Sequence, residues 1–430
     1  MSQNQTNSGE NQLEQMTQDQ LDAMVRLHNR FLEGRLGGRR AVLKDIDISY
    51  LTLMGENLRG ADFSGCIMTH MNLRATNFQE AALYACDLSE ANLYQTNFVR
   101  ADLRGARIEN ANLEGADMEN ADLREGGKGY GASQVVNFRG ANLSGVKLSG
   151  SMASKADFSD AIMVGANMAK ADLAGAQMEG ADLSDADLDG ADFKGANVKG
   201  AILTGVNSEA LLKSGVDMTE SITDDNIGVS VSDLGAPIAK LIEIHRSWVE
   251  TAGDKGDQLD LTGVNVRILK SLKQEKLTAI KAENAKFFGM NLYQLELQSA
   301  VLDGSDFRNC DLEGADLRGS SFIGCNFSHA NLRGVNCSPL MFGGGGATKR
   351  FSPSNFENAK LAYANLTCAQ MKNISFKNAD LSYADLTGSD LRDSDFTGAN
   401  MTATKMDDTQ TEGAIFDKAE KPVFKMKTDS

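Results

Sequence analysis

The sequence predicts an all-β solenoid in two tandem tracts, each preceded by a short capping α-helix. Three observations carry the prediction. Large apolar residues recur at every fifth position, as at Leu103, Ile108, Leu113, Met118 and Leu123. Alanine stands two places before each of them (Ala101, Ala106, Ala111, Ala116 and Ala121), often with Asn or Asp between and Gly or another small or polar residue after. The arrangement of one helical stretch followed by such repeats occurs twice. A period of five fits neither a helix nor a strand. It marks an array built by stacking a unit that cannot bury its apolar face alone.

These residues resemble the pentapeptide-repeat family, whose motif is written A(D/N)LXX, over most of the chain. The resemblance implies a right-handed quadrilateral β-helix. Four pentapeptides make one square coil, and coils stack at the strand spacing of about 4.8 Å. The central apolar residue and the small residue two before it point inward, and the other three point outward. Leu, Phe and Met can fill a narrow core, while Ala, Cys or Thr leave them room.

In chain order, residues 1–16 are rich in Gln and Asn, lack the apolar core of a signal peptide, and read as a disordered head. Residues 17–38 hold the first capping helix. Thr17 and Gln20 form a capping box, Leu21, Met24, Val25, His28 and Leu32 make one apolar stripe, and Gly34, Gly37 and Gly38 end it. Residues 41–206 carry the first repeat tract. The segment 124–137 interrupts it without changing phase, so it reads as a loop thrown out from a continuous coil. Residues 207–235 lose the phase and read as a linker or irregular cap.

The second capping helix lies within 236–256, with Pro237 near its first position. Its stripe of Ile238, Leu241, Ile242, His245 and Val249 repeats the first stripe at one constant offset, and Trp248 matches Phe31. This is an internal duplication. Residues 257–416 carry the second tract, less regular at first and interrupted by a loop at 338–355. Residues 417–430 form a basic tail.

A net charge of −16 over 430 residues disfavours direct binding to a nucleic-acid backbone, which wants a basic face. It suits attraction of basic partners. No apolar run is long enough to span a membrane, and a cytoplasmic protein is expected. Of six cysteines, Cys66, Cys86, Cys310 and Cys325 occupy the small inward slot and Cys337 a central one, as buried hydrophobes. A zinc site from Cys310, Cys325, Cys337 and His329 matches no known ligand spacing. His28 and His245 lie on the helix stripes and read as packing residues, while His70 and His329 take outward slots. The Gly-rich segments at 126–131 and 343–346 do not match a phosphate loop. No nucleophile, metal or cofactor constellation is present, so neither catalysis nor a cofactor is expected.

The expected function is that of a rigid, non-enzymatic scaffold with an unidentified protein partner. Two sets of residues are candidates for contact. The loops offer Lys128, Tyr130, Phe342, Lys349, Arg350 and Phe351, since projections on rigid scaffolds often carry binding. The acidic stretch offers Glu179, Asp182, Asp185, Asp187, Asp189 and Asp192. Asp182, Asp187 and Asp192 share one outward slot on successive faces of a coil, while Asp172 and Asp192 would stack directly, as would Asp102 and Asp122. The family resemblance gives the acidic row a narrower alternative meaning. Some pentapeptide proteins mimic duplex DNA and bind gyrase. Arg100, Arg104, Arg107 and Arg124 interrupt the acid elsewhere, and the helices and Lys-rich tail depart from those mimics.

Overall fold

The computed structural model describes residues 15–127, 134–342 and 350–417. The chain forms two compact units that divide between Asn226 and Ile227.

Residues 61–65 show why the pentapeptide folds as it does. Ala61 and Phe63 are fully buried. Asp62 and Phe63 form a minimal strand: Asp62 N donates to the Ala41 carbonyl of the coil before, and Phe63 N to the Ala82 carbonyl of the coil after, at 3.0 and 2.8 Å. The Asp62 carboxylate turns back to accept from Ser64 N at 3.1 Å and Ser64 Oγ at 2.7 Å. Asp and Asn recur here because their short side chains close such turns. Cys66 N then donates to the Phe63 carbonyl at 3.0 Å, completing a β-turn whose third residue, Gly65, has φ +73°. That left-handed conformation favours glycine, and Asn110, Asn120, Asp160 and Asp185 adopt it elsewhere at the same slot.

The ladders are parallel and link each Asp/Asn position to the one twenty residues on, as in Asp62↔Ala82↔Asp102↔Asp122. Four pentapeptides therefore make one coil. The insertion in unit 1 lengthens the four ladder steps that span it, from Arg107↔Asn137 to Asp122↔Met152, and the one in unit 2 lengthens four more, from Ser321↔Asn355 to Asn336↔Gln370. The pairing is parallel on both sides of each insertion, so the coil closes beneath it. The irregular start of the second tract has a local cause. Asp260↔Lys281 and Asn265↔Lys286 span one residue more than Ser271↔Asn291 does. The extra residue is taken up in the 3₁₀ turn Arg267–Leu269.

The cores are filled by the central residues. In unit 2, Phe322, Phe356, Phe376, Phe396 and Phe416 stack in succession with ring centroids 4.8–5.5 Å apart. Offset stacking of this kind adds about 0.5–1.5 kcal/mol per pair beyond area burial. Where the small inward slot holds Thr or Cys, its polar atom donates to the carbonyl of the central residue one coil back. Thr76 does so to Leu53 and Thr96 to Leu73, both at 2.8 Å, Cys86 to Phe63 at 2.9 Å and Cys310 to Phe287 at 3.0 Å. Burial raises these thiols, Cys66 to about 11. They are unreactive packing groups, which is how the sequence presents them.

Helix α1 (Gln18–Leu32) has the capping box that Thr17 and Gln20 predict. Leu21 and Val25 join the core of unit 1. Gln18 Nε2 donates to the Thr52 carbonyl and Gln18 Oε1 accepts from Thr52 N, both at 2.9 Å, so one side chain satisfies both polar groups of a first-coil backbone unit. Just before the helix, Met16 N donates to the Asp47 carbonyl. After the last regular coils, residues 207–226 stay with unit 1. They include the short helix α2 (Glu209–Lys213), whose Leu211 enters the core, and the bridge Ile202↔Ile222. Unit 2 begins with strand β1 (Val229–Ser230), which pairs in parallel with β2 (Val264–Asn265). Helix α3 (Ile238–Glu250) follows, with Pro237 as its N-cap residue rather than inside it. Its Ile242 joins the core of unit 2.

Candidate partner-binding surfaces

An outward slot is held by a rigid coil, so its side chain has a fixed place but a free choice of chemistry. On most of unit 1 that choice is balanced. Arg104 pairs with Asp102 and Arg124 with Asp122, each at 2.7 Å. Arg107 bridges Asp87 and Glu109. Arg100 and Arg59 both reach Glu80 and hold its carboxyl below the usual range.

The acidic stretch near the C-terminal end of unit 1 differs. Glu179, Asp185, Asp187, Asp189 and Asp192 are exposed, and none of them closes an ion pair among the described residues. The two direct stacks predicted from spacing are present as the bridges Asp172↔Asp192 and Asp102↔Asp122. Asp182 departs from expectation. It is only 5% exposed and is not part of the acidic surface. Its carboxylate accepts from Ser184 N at 3.1 Å and from Ser184 Oγ at 2.6 Å. Its ladder partners above and below are Ile162 and Ile202, and Ile202 is itself fully buried. Asp187 and Asp192 also close their own turns, through Asp189 N and Lys194 N, but remain exposed. The remaining carboxylates lie around one end of the unit rather than in a line along its axis. Along the axis, Asp187 follows Asn167 and Asp192 follows Asp172.

Both insertions open on antiparallel pairing, a single bridge in unit 1 and a short ladder in unit 2. In unit 1, Gly126 pairs with Gln134, the Tyr84 hydroxyl donates to the Gly127 carbonyl at 2.8 Å, and Gly126 lies so close to Gly105 that a Cβ on either would meet the other's backbone. Lys128 and Tyr130 lie outside the described residues. In unit 2, strand β3 (Leu340–Phe342) pairs with β4 (Arg350–Ser352) in the register Met341↔Phe351. Lys349 lies outside the described residues; Phe342 and Arg350 are placed as facing partners by their backbone. Phe351 is 52% exposed and Met341, opposite it, 58%. Met341 was not a candidate from sequence. The signal for it was two short apolar runs around a glycine tract, the pattern of a hairpin.

The four histidines fall into two pairs. His70 stacks on Tyr50 and His329 on Tyr363, with centroids 4.7 and 4.8 Å apart. His28 and His245 are fully buried. Their Nδ1 atoms each accept a backbone N–H from the first coil of their unit, Ala41 and Leu259, both at 3.0 Å. Burial holds both imidazoles below their ordinary pKa. Among the described residues no helix is long and apolar enough to cross a membrane.

Comparison with known proteins agrees with the repeat geometry. The family model for pentapeptide repeats matches eight copies, over residues 57–93, 86–124, 136–169, 166–205, 283–319, 300–338 and 354–393, more than half of the chain. No curated protein matches. Among solved structures, the chain is similar to HetL, a pentapeptide repeat protein involved in heterocyst differentiation regulation in Nostoc sp. strain PCC 7120. The identity is 17%, covering 90% of this chain and 97% of that one, with a TM-score of 0.19. It is also similar to QnrB1, a plasmid-mediated fluoroquinolone resistance protein, at 23% identity over 43% of this chain and 90% of that one, with a TM-score of 0.28. A third is Rfr23 of Cyanothece 51142, at 16% identity over 35% of this chain and 94% of that one, with a TM-score of 0.19. The chain belongs to the pentapeptide repeat family, whose fold is the right-handed quadrilateral β-helix.

Proposed function

We propose that the protein is a non-catalytic binding scaffold whose protein partner is held by the two inserted ribbons, with the acidic end of unit 1 as a second contact. The observation that carries this reading is the uninterrupted pairing beneath each insertion, Arg107↔Asn137 and Ser321↔Asn355. The coils need neither loop, and the ribbon in unit 2 exposes an apolar pair, Met341 and Phe351, at facing positions. Loops projecting from a scaffold that closes beneath them fit a binding role. In the same reading, α1 and α3 cap the first coils, because Gln18, His28 and His245 occupy backbone groups that a preceding coil would otherwise pair.

The test is affinity capture with the full chain and with the loops shortened, removing 127–133 in one variant and 341–351 in another. Loss of a specific captured protein at an unchanged melting temperature supports the proposal. Capture that survives both deletions refutes it. Mimicry of duplex DNA is favoured only by the exposed carboxylates of Glu179, Asp185, Asp187, Asp189 and Asp192. A gyrase supercoiling assay addresses it directly, and no effect at micromolar protein rules it out.

A further inference from the structure

The duplication preserves one polar contact through two different sequence surroundings. In unit 1, His28 Nδ1 accepts from Ala41 N, and in unit 2, His245 Nδ1 accepts from Leu259 N. Each ring stacks on the aromatic residue three places on, Phe31 at 5.9 Å and Trp248 at 5.7 Å. On the far side of the ring, His245 Nε2 donates to the Thr278 carbonyl at 2.9 Å. The corresponding carbonyl beside His28 belongs to Arg59, and there His28 Nε2 is buried without a hydrogen-bond partner. Each imidazole thus links its helix to the first coil, and it does so only as the neutral tautomer with the proton on Nε2. A proton on Nδ1 would point at a backbone N–H and leave that donor buried and unmatched.

We propose that His28 and His245 are acid-released latches: protonation detaches α1 and α3 from the first coils and opens the ladder edges beneath them. The inference rests on the capping role given above to these helices. The charged form gains only a backbone carbonyl in each case, Arg59 beside His28 and Thr278 beside His245, and burial outweighs it. Around His28, the nearby charge is Arg40, which repels a proton and whose Nε is committed to the Gly60 carbonyl. The Arg59 guanidinium is turned away to Glu80. Around His245, Arg246 on the helix and Glu275 on the coil pair with each other at 3.6 Å, and Asp260 is exposed and closes its own turn on Thr262 N.

The sign follows from proton linkage. Burial depresses both folded-state pKa values, so the unfolded or detached form binds more protons. Stability is therefore full above the free-histidine value of about 6.5 and falls as pH drops below it.

Trp248 is the sole tryptophan and reports on α3 without a label. The full chain is titrated from pH 8 to pH 4.5, following Trp248 emission and its quenching by acrylamide. Hydrogen exchange of residues 18–32 and 238–250, corrected for intrinsic rates, is followed in parallel. The expected result is a red shift and increased quenching below about pH 6.5, with loss of protection in both helices while coils 83–118 stay protected. His245→Asn, which keeps an acceptor near the Nδ1 position but cannot take up a proton, removes the Trp248 transition. If that variant does not fold, ring titration of His245 by NMR in the unaltered chain replaces it, and its midpoint must coincide with the Trp248 change. Helices that stay protected to pH 4.5, a transition that survives in His245→Asn, or non-coincident midpoints overturn the proposal. Helices already unprotected at pH 8 would instead overturn the capping role itself.

Discussion

A methyl group at Gly256 would strike the Ile244 carbonyl oxygen and lie 2.9 Å from Trp248 N. Gly38 makes the matching close approach to the backbone of Arg30 and Phe31, so the duplication kept a glycine wherever the chain leaves its helix and returns to the coil. Gly195 has nearly the same left-handed φ as Gly256, +73° against +76°, but open space around it. The pair separates contact from conformation. Gly195→Ala should lower stability by about 1 kcal/mol, the strain of a left-handed alanine. Gly256→Ala adds overpacking of about 1–3 kcal/mol. Thermal melts of the two variants measure the difference, and equal shifts would show that the approach to α3 is relaxed easily. Asp182 makes the complementary point. Its slot reads as outward from the period of five, and its neighbours Asp187 and Asp192 obey that reading. The repeat fixes which way a side chain leaves the coil, but not whether Ile162 and Ile202 stand beside it.

The helices and ribbons are the elements that the repeat does not explain. Thr17, Gln20 and the stripe through Leu21, Val25 and His28 made α1 legible, because caps and a 3.6 period are local signals. The two hydrogen bonds between Gln18 and Thr52 were not legible, since they join residues far apart in sequence. Gln18→Ala should speed hydrogen exchange at the Thr52 amide several-fold, corresponding to loss of about 1 kcal/mol, while amides of residues 83–118 keep their rates. Uniform loss of protection would instead mean that α1 is needed for the whole unit. In unit 2 the ribbon β3–β4 was visible as a break in phase, yet Met341 was not, because the pairing that sets it opposite Phe351 depends on turn geometry. Met341→Ser with Phe351→Ser should leave the melting temperature within about 2 °C, as surface changes do, and abolish capture of the partner. An unaltered capture would move the contact elsewhere on the ribbon.

At the scale of the molecule, the chain divides between Asn226 and Ile227, and each side has its own helix, ladders and core. Fragments 15–226 and 227–417 should each melt cooperatively by circular dichroism, and a fragment that stays unfolded alone would show that its core is not self-sufficient. The tandem plan was readable because a period of five and a repeated helix stripe persist over long stretches. The end of unit 1 was not, since residues 207–226 exchange the pentapeptide for α2 and a single bridge, and nothing periodic marks where Leu211 goes. The ladder itself has a further implication. Among the described residues, the ladder bonds of the regular coils run to the coil just before or just after, and none joins distant layers. Under tension applied at one end, such a chain comes off like thread from a spool. Each twenty-residue coil would yield in its own small rip and lengthen the free thread by about 70 Å, so the molecule would resist a pull turn by turn rather than in one break.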